Sequence, residues 1–312
     1  MITVRSYDPA WQAVWNAFVA SSKNGTFLLG RDYMDYHADR FEDSSLLFQA
    51  GSRLLAVLPA SRQGEEMISH GGLTYGGLIS GQALTAQSAL ECLAALKKYL
   101  PEHGFKRLLY KRVPVIYHCY PADEDLYALF RHKAVLVRRD LSTAIDLRRP
   151  LAFSERRRRN IKKAVREGLV VRESTDFESY FGLLNEILAA RHQTRPTHSA
   201  AEMALLAARH PENIHLFAAY AGEALLAGAL VYETPQVAHT QYLANSPAGG
   251  QVGALDLVIE YLLRERYRDK LYFDFGISTE DRGQQLNEGL VQQKQEFGGR
   301  AVAHDFYELT AG

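Results

Sequence analysis

The sequence is short of cysteine, with Cys92 and Cys119 alone among 312 residues. Two thiols exclude a disulfide scaffold and a thiolate zinc cluster, and they suit a reducing compartment. Neither sign of charge is in excess, because 36 Lys+Arg meet 36 Asp+Glu. That excludes a broadly basic surface for nucleic acid or anionic membrane, though not a local patch. Long apolar runs are missing too. The most apolar window, residues 214–232, carries His215, Glu223, Gly222 and Gly228 and reads as paired strands, not a bilayer span. No stretch is low in complexity. The opening residues reach Asp8 and Pro9 before any apolar run, so the expectation is a cytoplasmic protein without a signal peptide. P-loop, dinucleotide and His-Glu-x-x-His patterns are absent, which argues against kinase and dehydrogenase chemistry and leaves no metal expected.

What is present is an ordinary globular composition, 47% hydrophobic and 23% charged, long enough for two domains of roughly 150 residues. The chain also repeats itself. Leu47-Phe48 through Gly51 to Ala56 recurs as Leu216-Phe217 through Gly222 to Ala227. Residues 105–110 are echoed by 268–272, and Phe130 with Ala134-Val135 by Phe297 with Ala301-Val302. Echoes in one order, at an offset of roughly 165 residues, indicate a duplicated domain, with halves at 1–150 and 151–312. In the second half, residues 214–221 and 224–231 read as a hairpin and 237–243 as a further strand. Residues 271–277 are nearly all apolar, as in a strand covered on both faces, with Asp274 as the interruption. With helices between them, these strands predict a mixed α/β sheet.

Between the halves, Ser154-Glu155-Arg156-Arg157-Arg158-Arg159-Asn160-Ile161-Lys162-Lys163-Ala164-Val165-Arg166-Glu167-Gly168 reads as a helix capped by Ser154 and ended by Gly168. Arg158, Lys162 and Arg166, then Arg159 and Lys163, form adjacent basic columns that repel one another unless an anion lies against them. Two readings stand: a solvated connecting helix paired with acidic residues of the second half, or a helix contacting phosphates of CoA, a nucleotide-linked substrate or tRNA.

Element order and local motifs together resemble the tandem-GNAT proteins of the FemAB/FemX-like type. The resemblance rests on Thr74-Tyr75-Gly76-Gly77, the basic segment, Tyr242-Leu243-Ala244-Asn245-Ser246, Phe273-Asp274-Phe275-Gly276, and Lys294 with Phe297-Gly298-Gly299. It covers essentially the whole chain and implies two GNAT domains, acyl-CoA N-acyltransferase-like in fold, packed around a cleft. It also implies transfer of an acyl or aminoacyl group to an amine, with residues 1–150 on the acceptor side and 151–312 on the donor side. Within this frame Lys294, in a Lys-x-x-Phe-Gly context, is expected at the catalytic centre beside a developing oxyanion. Asp274 is a candidate base, amine anchor or structural acceptor, and Tyr242 a candidate acid for the leaving group. Gly249, Gly250, Gln251 and Gly253 are candidates for backbone contact with an acyl-CoA pyrophosphate, although Ala254 and Asp256 stand where the family's acetyl-CoA signature has its small residues. Candidate acceptor contacts are His70 and Tyr75 in a glycine-rich loop, Lys111, Tyr117 and His118 after a strand, and Arg191, His192 and His198 near a helix end.

The leading expectation is an N-acyltransferase moving an acyl group from acyl-CoA to an amine of a cell-envelope or polysaccharide precursor. A second reading takes the acyl group from aminoacyl-tRNA held by Arg158, Arg159, Lys162, Lys163 and Arg166. A third is a non-catalytic tandem GNAT that only binds a ligand.

Overall fold

Each half of the chain folds a hairpin with the same irregularity. Leu46–Ala50 pairs with Arg53–Leu58, and Ile214–Ala221 pairs with Ala224–Glu233. In the first, the register passes from Phe48↔Ala56 to Gln49↔Leu54; in the second, from Ala219↔Ala227 to Tyr220↔Leu225. The skipped residues are Leu55 and Leu226, the second leucine of each Leu-Leu-Ala repeat. A bulge at matched positions is a backbone signature of the duplication, beyond shared hydrophobicity. A short parallel ladder also recurs. Glu66–Ile68 runs beside Arg107–Lys111 and their register ends at Ile68↔Leu109. Val237–Asn245 runs beside Tyr272–Ile277 and theirs ends at His239↔Asp274.

This computed structural model describes residues 1–192 and 194–311, with the side chains of Arg191 and His192 outside the description. The chain divides into two compact units, and the boundary falls within three strands, Val135–Asp146, Gln285–Leu286 and Arg300–Thr310. Unit 1 is Met1–Leu141, Thr279–Gln285 and Ala303–Gly312; unit 2 is Ser142–Ser278 and Leu286–Val302.

In unit 1, Ile2–Ser6, Leu46–Ala50, Arg53–Leu58 and Ile79–Ser80 form one sheet in that order. A second ladder runs from the end of Arg300–Thr310 through Arg107–Lys111, Glu66–Ile68 and Ser61–Gln63 to Glu42–Asp43. The helix Ala86–Glu102 starts where Thr85 and Ser88 cap each other's backbone amides. Its Ala89, Cys92, Leu93, Leu96 and Leu100 recur at three- and four-residue spacing and are buried with Phe48 and Leu108.

Unit 2 orders its strands Val170–Ser174, Ile214–Ala221, Ala224–Glu233, Val237–Asn245, Tyr272–Ile277 and the end of Val135–Asp146. One face is covered by the helix Ala254–Tyr261 and by the arginine-rich helix Glu155–Arg166. The latter begins where Ser154 accepts from the Arg157 amide, as its sequence predicts. Of its three apolar residues, Ile161 and Ala164 are buried, but Val165 is 61% exposed. On the opposite face lie Phe177–His192 and Ala200–Arg209, with the Tyr232 hydroxyl against Met203 of the second helix. The fold is mixed α/β, as the alternation of elements predicts.

Candidate functional site

In unit 2 the parallel pairing of Val237–Asn245 with Tyr272–Ile277 lasts only from Val237↔Tyr272 to His239↔Asp274. Beyond that pair both strands continue without ladder bonds to each other, which opens the sheet at this point. A bulge then sets which side chains face the opening. Val231 is opposite Thr240, while its neighbour Leu230 is opposite Tyr242, so Gln241 is the extra residue. Opposed residues share a face, so the bulge turns Tyr242 onto the face of His239. Sequence alternation alone would separate them.

Asp274 anchors the site. Its side chain is 0% exposed, and it accepts from Ser142 Oγ at 2.6 Å, the Gly276 amide at 3.0 Å and His239 Nδ1 at 3.0 Å. A buried carboxylate without such partners is costly, so these bonds explain how an acid tolerates an apolar strand. His239 is 15% exposed, and its Nε2 has no partner among the described residues. His239 is the residue that sequence reasoning missed. Its only signal is a polar side chain in an apolar strand, which reads equally as a half-exposed edge position.

The strand does not alternate evenly to its end. Against Val135–Asp146 its register slips between Asp274↔Ala144 and Ile277↔Ser142, leaving Ile277 38% exposed. Gly276 lies in the slip at φ 76°, a left-handed conformation that side chains resist, and a Cβ there would stand 3.2 Å from His239 Cε1. The slip also turns two carbonyls toward Lys294. Its ammonium donates to Gly276 O, Ile277 O and Ser278 Oγ, each at 2.8 Å. Lys294 is therefore no surface lysine: it is buried, and burial pushes its pKa down to about 8 against the opposing pull of Asp274. All three of its protons are committed to the strand end, which leaves none for an oxyanion in this arrangement.

Tyr242 contacts His198, Nδ1 to hydroxyl at 2.8 Å. Burial raises the Tyr242 pKa despite lowering contacts from His198, Gln241 and Thr197, so its proton is held at neutral pH. Thus Tyr242 meets His198, and Asp274 lies beside Lys294. Arg191 and His192 belong to the end of Phe177–His192, and their side chains lie outside the described residues.

The glycines proposed for a pyrophosphate have other neighbours. Gly249 is buried where a Cβ would stand 2.5 Å from Leu226 O. Gly253, at φ 78°, separates the short helix Pro247–Val252 from Ala254–Tyr261, and a Cβ there would stand 2.5 Å from Asn160 O of the arginine-rich helix. Gly250 and Gln251 are exposed. Asp256 occupies the first turn of Ala254–Tyr261, buried, with Arg157 Nη1 at 2.9 Å and Asn160 Nδ2 at 3.4 Å. The start of Ala254–Tyr261 is thus covered by another helix and carries its own carboxylate, while Gly250 and Gln251 of Pro247–Val252 stay open to solvent.

The arginine-rich helix splits its charge. Arg157 pairs with Asp256 and Glu296, Arg156 with Glu296, and Arg158 with Glu155. Acidic partners thus meet Arg156 and Arg157 and, of the two basic columns, Arg158. Arg159, Lys162, Lys163 and Arg166 are exposed and have no carboxylate partner among the described residues.

In unit 1, Lys111 donates to His70 O and Leu73 O, and burial together with the charge of Arg138 brings it down to about 7. Burial, with the positive charges of His37, Lys111 and Arg31, lowers His70 to about 3, and its Nδ1 is buried without a partner. Tyr75 and Tyr117 are in ring contact at 4.9 Å, and Tyr75 donates to Thr26. His118 has Nε2 on Val113 O. Among the described residues no group of three or more metal-ligating side chains converges, and no helix is long and apolar enough to cross a membrane.

Residues 152–282 match the family model described as an acetyltransferase (GNAT) domain. No curated protein matches in sequence. Among solved structures, FemX superposes with a TM-score of 0.70 at 12% identity, covering 99% of this chain and 97% of that one. The C-terminal domain of a putative lysylphosphatidylglycerol synthetase from Agrobacterium fabrum gives 0.61 at 10% identity, covering 98% and 93%. A tandem GNAT protein from the clavulanic acid biosynthesis pathway gives 0.52 at 13% identity, covering 100% and 99%. Over its whole length, the chain has the tandem GNAT fold of the FemX type.

Proposed function

We propose that the protein is an acyltransferase that moves an aminoacyl group from aminoacyl-tRNA to an amine of a cell-envelope or polysaccharide precursor. The observation that carries this reading is the arginine-rich helix. It covers the start of Ala254–Tyr261, where an acyl-CoA pyrophosphate would bind, and offers four exposed, unpaired cations instead. Unpaired like charges on one helix face favour a polyanion against them, and a tRNA backbone supplies one. The acyl carbonyl would lie in the opening past His239 and Asp274, and the Tyr242 hydroxyl would exchange its contact with His198 for the departing oxygen and protonate it. Lys294 is assigned to holding the strand end in shape.

Acyl-CoA remains the competing donor, favoured by the acetyltransferase domain match over residues 152–282. Titration with charged tRNA and with acyl-CoA separates the two. Four phosphate contacts predict a log–log salt slope for tRNA of about −3. Replacing Arg159, Lys162, Lys163 and Arg166 by glutamine should flatten it. Saturable acyl-CoA binding with salt-insensitive or absent tRNA binding would reverse the assignment.

A further inference from the structure

An amine acceptor must lose protons during acyl transfer, and the opening in the unit 2 sheet contains a group arranged to take them. We propose that His239 is the general base of the transfer and that Asp274 is the residue that positions it; this rests on the acyltransferase reading above. Asp274 is fully buried and holds three donors: Ser142 Oγ, the Gly276 amide and His239 Nδ1. With a carboxylate as partner, Nδ1 must carry the hydrogen, so Nε2 carries the lone pair. The ring is fixed by a strand on each side, because His239 and Asp274 form the last in-register pair before the strands part. Gly276 leaves the space beside Cε1 and Nε2 unfilled; a Cβ there would stand 3.2 Å from the first and 3.9 Å from the second. Tyr242 shares the face through the bulge at Gln241, which puts a proton donor and a proton acceptor on one side of the opening.

The proton balance is complete with these groups. An ammonium acceptor first releases one proton to solvent by way of Nε2. The neutral nitrogen then attacks the ester carbonyl carbon, and a carbon–nitrogen bond forms. The second proton passes from that nitrogen to Nε2 as the carbon–oxygen bond breaks. The departing oxygen takes a proton from Tyr242, which recovers one from the imidazolium through water. The products are the amide, the free hydroxyl of the donor and one proton in solution.

Two measurements decide this. Nitrogen-15 spectra of the histidine rings in the wild-type protein should show the Nδ1–H tautomer for His239, and Asp274→Asn should shift it toward Nε2–H. The usual Nε2–H tautomer in the wild type would overturn the proposal without reference to any substrate. Turnover forms the second arm. His239→Gln should lower kcat by roughly 10²- to 10³-fold with KM little changed, and added imidazole should restore part of the rate to His239→Ala. Because Asp274 is buried, Ser142→Ala serves as the milder variant; it should lower kcat by a smaller factor with KM unchanged. Transfer by the wild type with undiminished kcat in a folded His239→Gln variant overturns this proposal alone. Failure of the wild type to transfer from charged tRNA or acyl-CoA overturns the acyltransferase reading, and this proposal with it.

Discussion

Replacing Lys294 by methionine separates two opposing energies at the strand end. Burial holds the Lys294 ammonium at about 8, against an ordinary value of 10.5. Between those values the unfolded chain binds the proton and the folded chain does not, so this residue's contribution to stability rises with pH. At about 1.4 kcal/mol per pK unit, the buried charge opposes folding by roughly 3 kcal/mol below pH 8, and the penalty fades toward pH 10.5. Methionine abolishes the titration but leaves Gly276 O and Ile277 O without their donor, at about 1–3 kcal/mol each. Near pH 7.5 the two effects oppose, and the variant should fall between about 1 kcal/mol more stable and about 3 kcal/mol less stable than the wild type. By pH 10 the wild type should have gained roughly 2 kcal/mol relative to the variant. Urea unfolding followed by circular dichroism at both pH values measures the difference. Parallel pH dependence of the two proteins would refute the reasoning, because it would mean that Lys294 titrates alike in the folded and unfolded chains.

Gly253→Val should lower stability by about 2–4 kcal/mol, since it combines a positive φ with a Cβ 2.5 Å from Asn160 O, and a thermal melt detects it. Asp256→Ala, which leaves Arg157 buried with Glu296 as its remaining partner, should destabilise by about 3 kcal/mol; an unchanged denaturation midpoint would show that Glu296 suffices. Phe297→Ala removes a buried ring packed on Phe153 and Phe275 and should cost about 3–5 kcal/mol in the same assay.

Patterns local in sequence were the legible ones. The Leu-Leu-Ala repeat marked both hairpins, and the apolar run 271–277 marked the strand that carries Asp274. The identity of a glycine says that something approaches it, not what does. Gly249 and Gly253 look alike whether the neighbour is a phosphate or, as here, backbone from Leu226 and Asn160. Lys294 drew notice through its Phe-Gly context, yet its bonds depend on carbonyls exposed by a register slip many residues away. His239 and Tyr242 share a face only because one residue is inserted opposite Leu230 and Val231. Such slips arise from pairing between strands, and a single strand's composition carries no record of them.

The assembly of unit 1 from three separate stretches of the chain has a consequence for biosynthesis. Its strand Arg107–Lys111 pairs with the end of Arg300–Thr310, with Leu108 opposite Leu309 and Tyr110 opposite Tyr307. A ribosome must therefore translate nearly all of unit 2 before the partner of Arg107–Lys111 exists. Until then Leu108 and Tyr110 lie beside an open edge, with unpaired backbone groups able to recruit another chain. The half made first is thus completed last, and the vulnerable interval lasts as long as the translation of some 190 further residues, about 10–40 s at ordinary elongation rates.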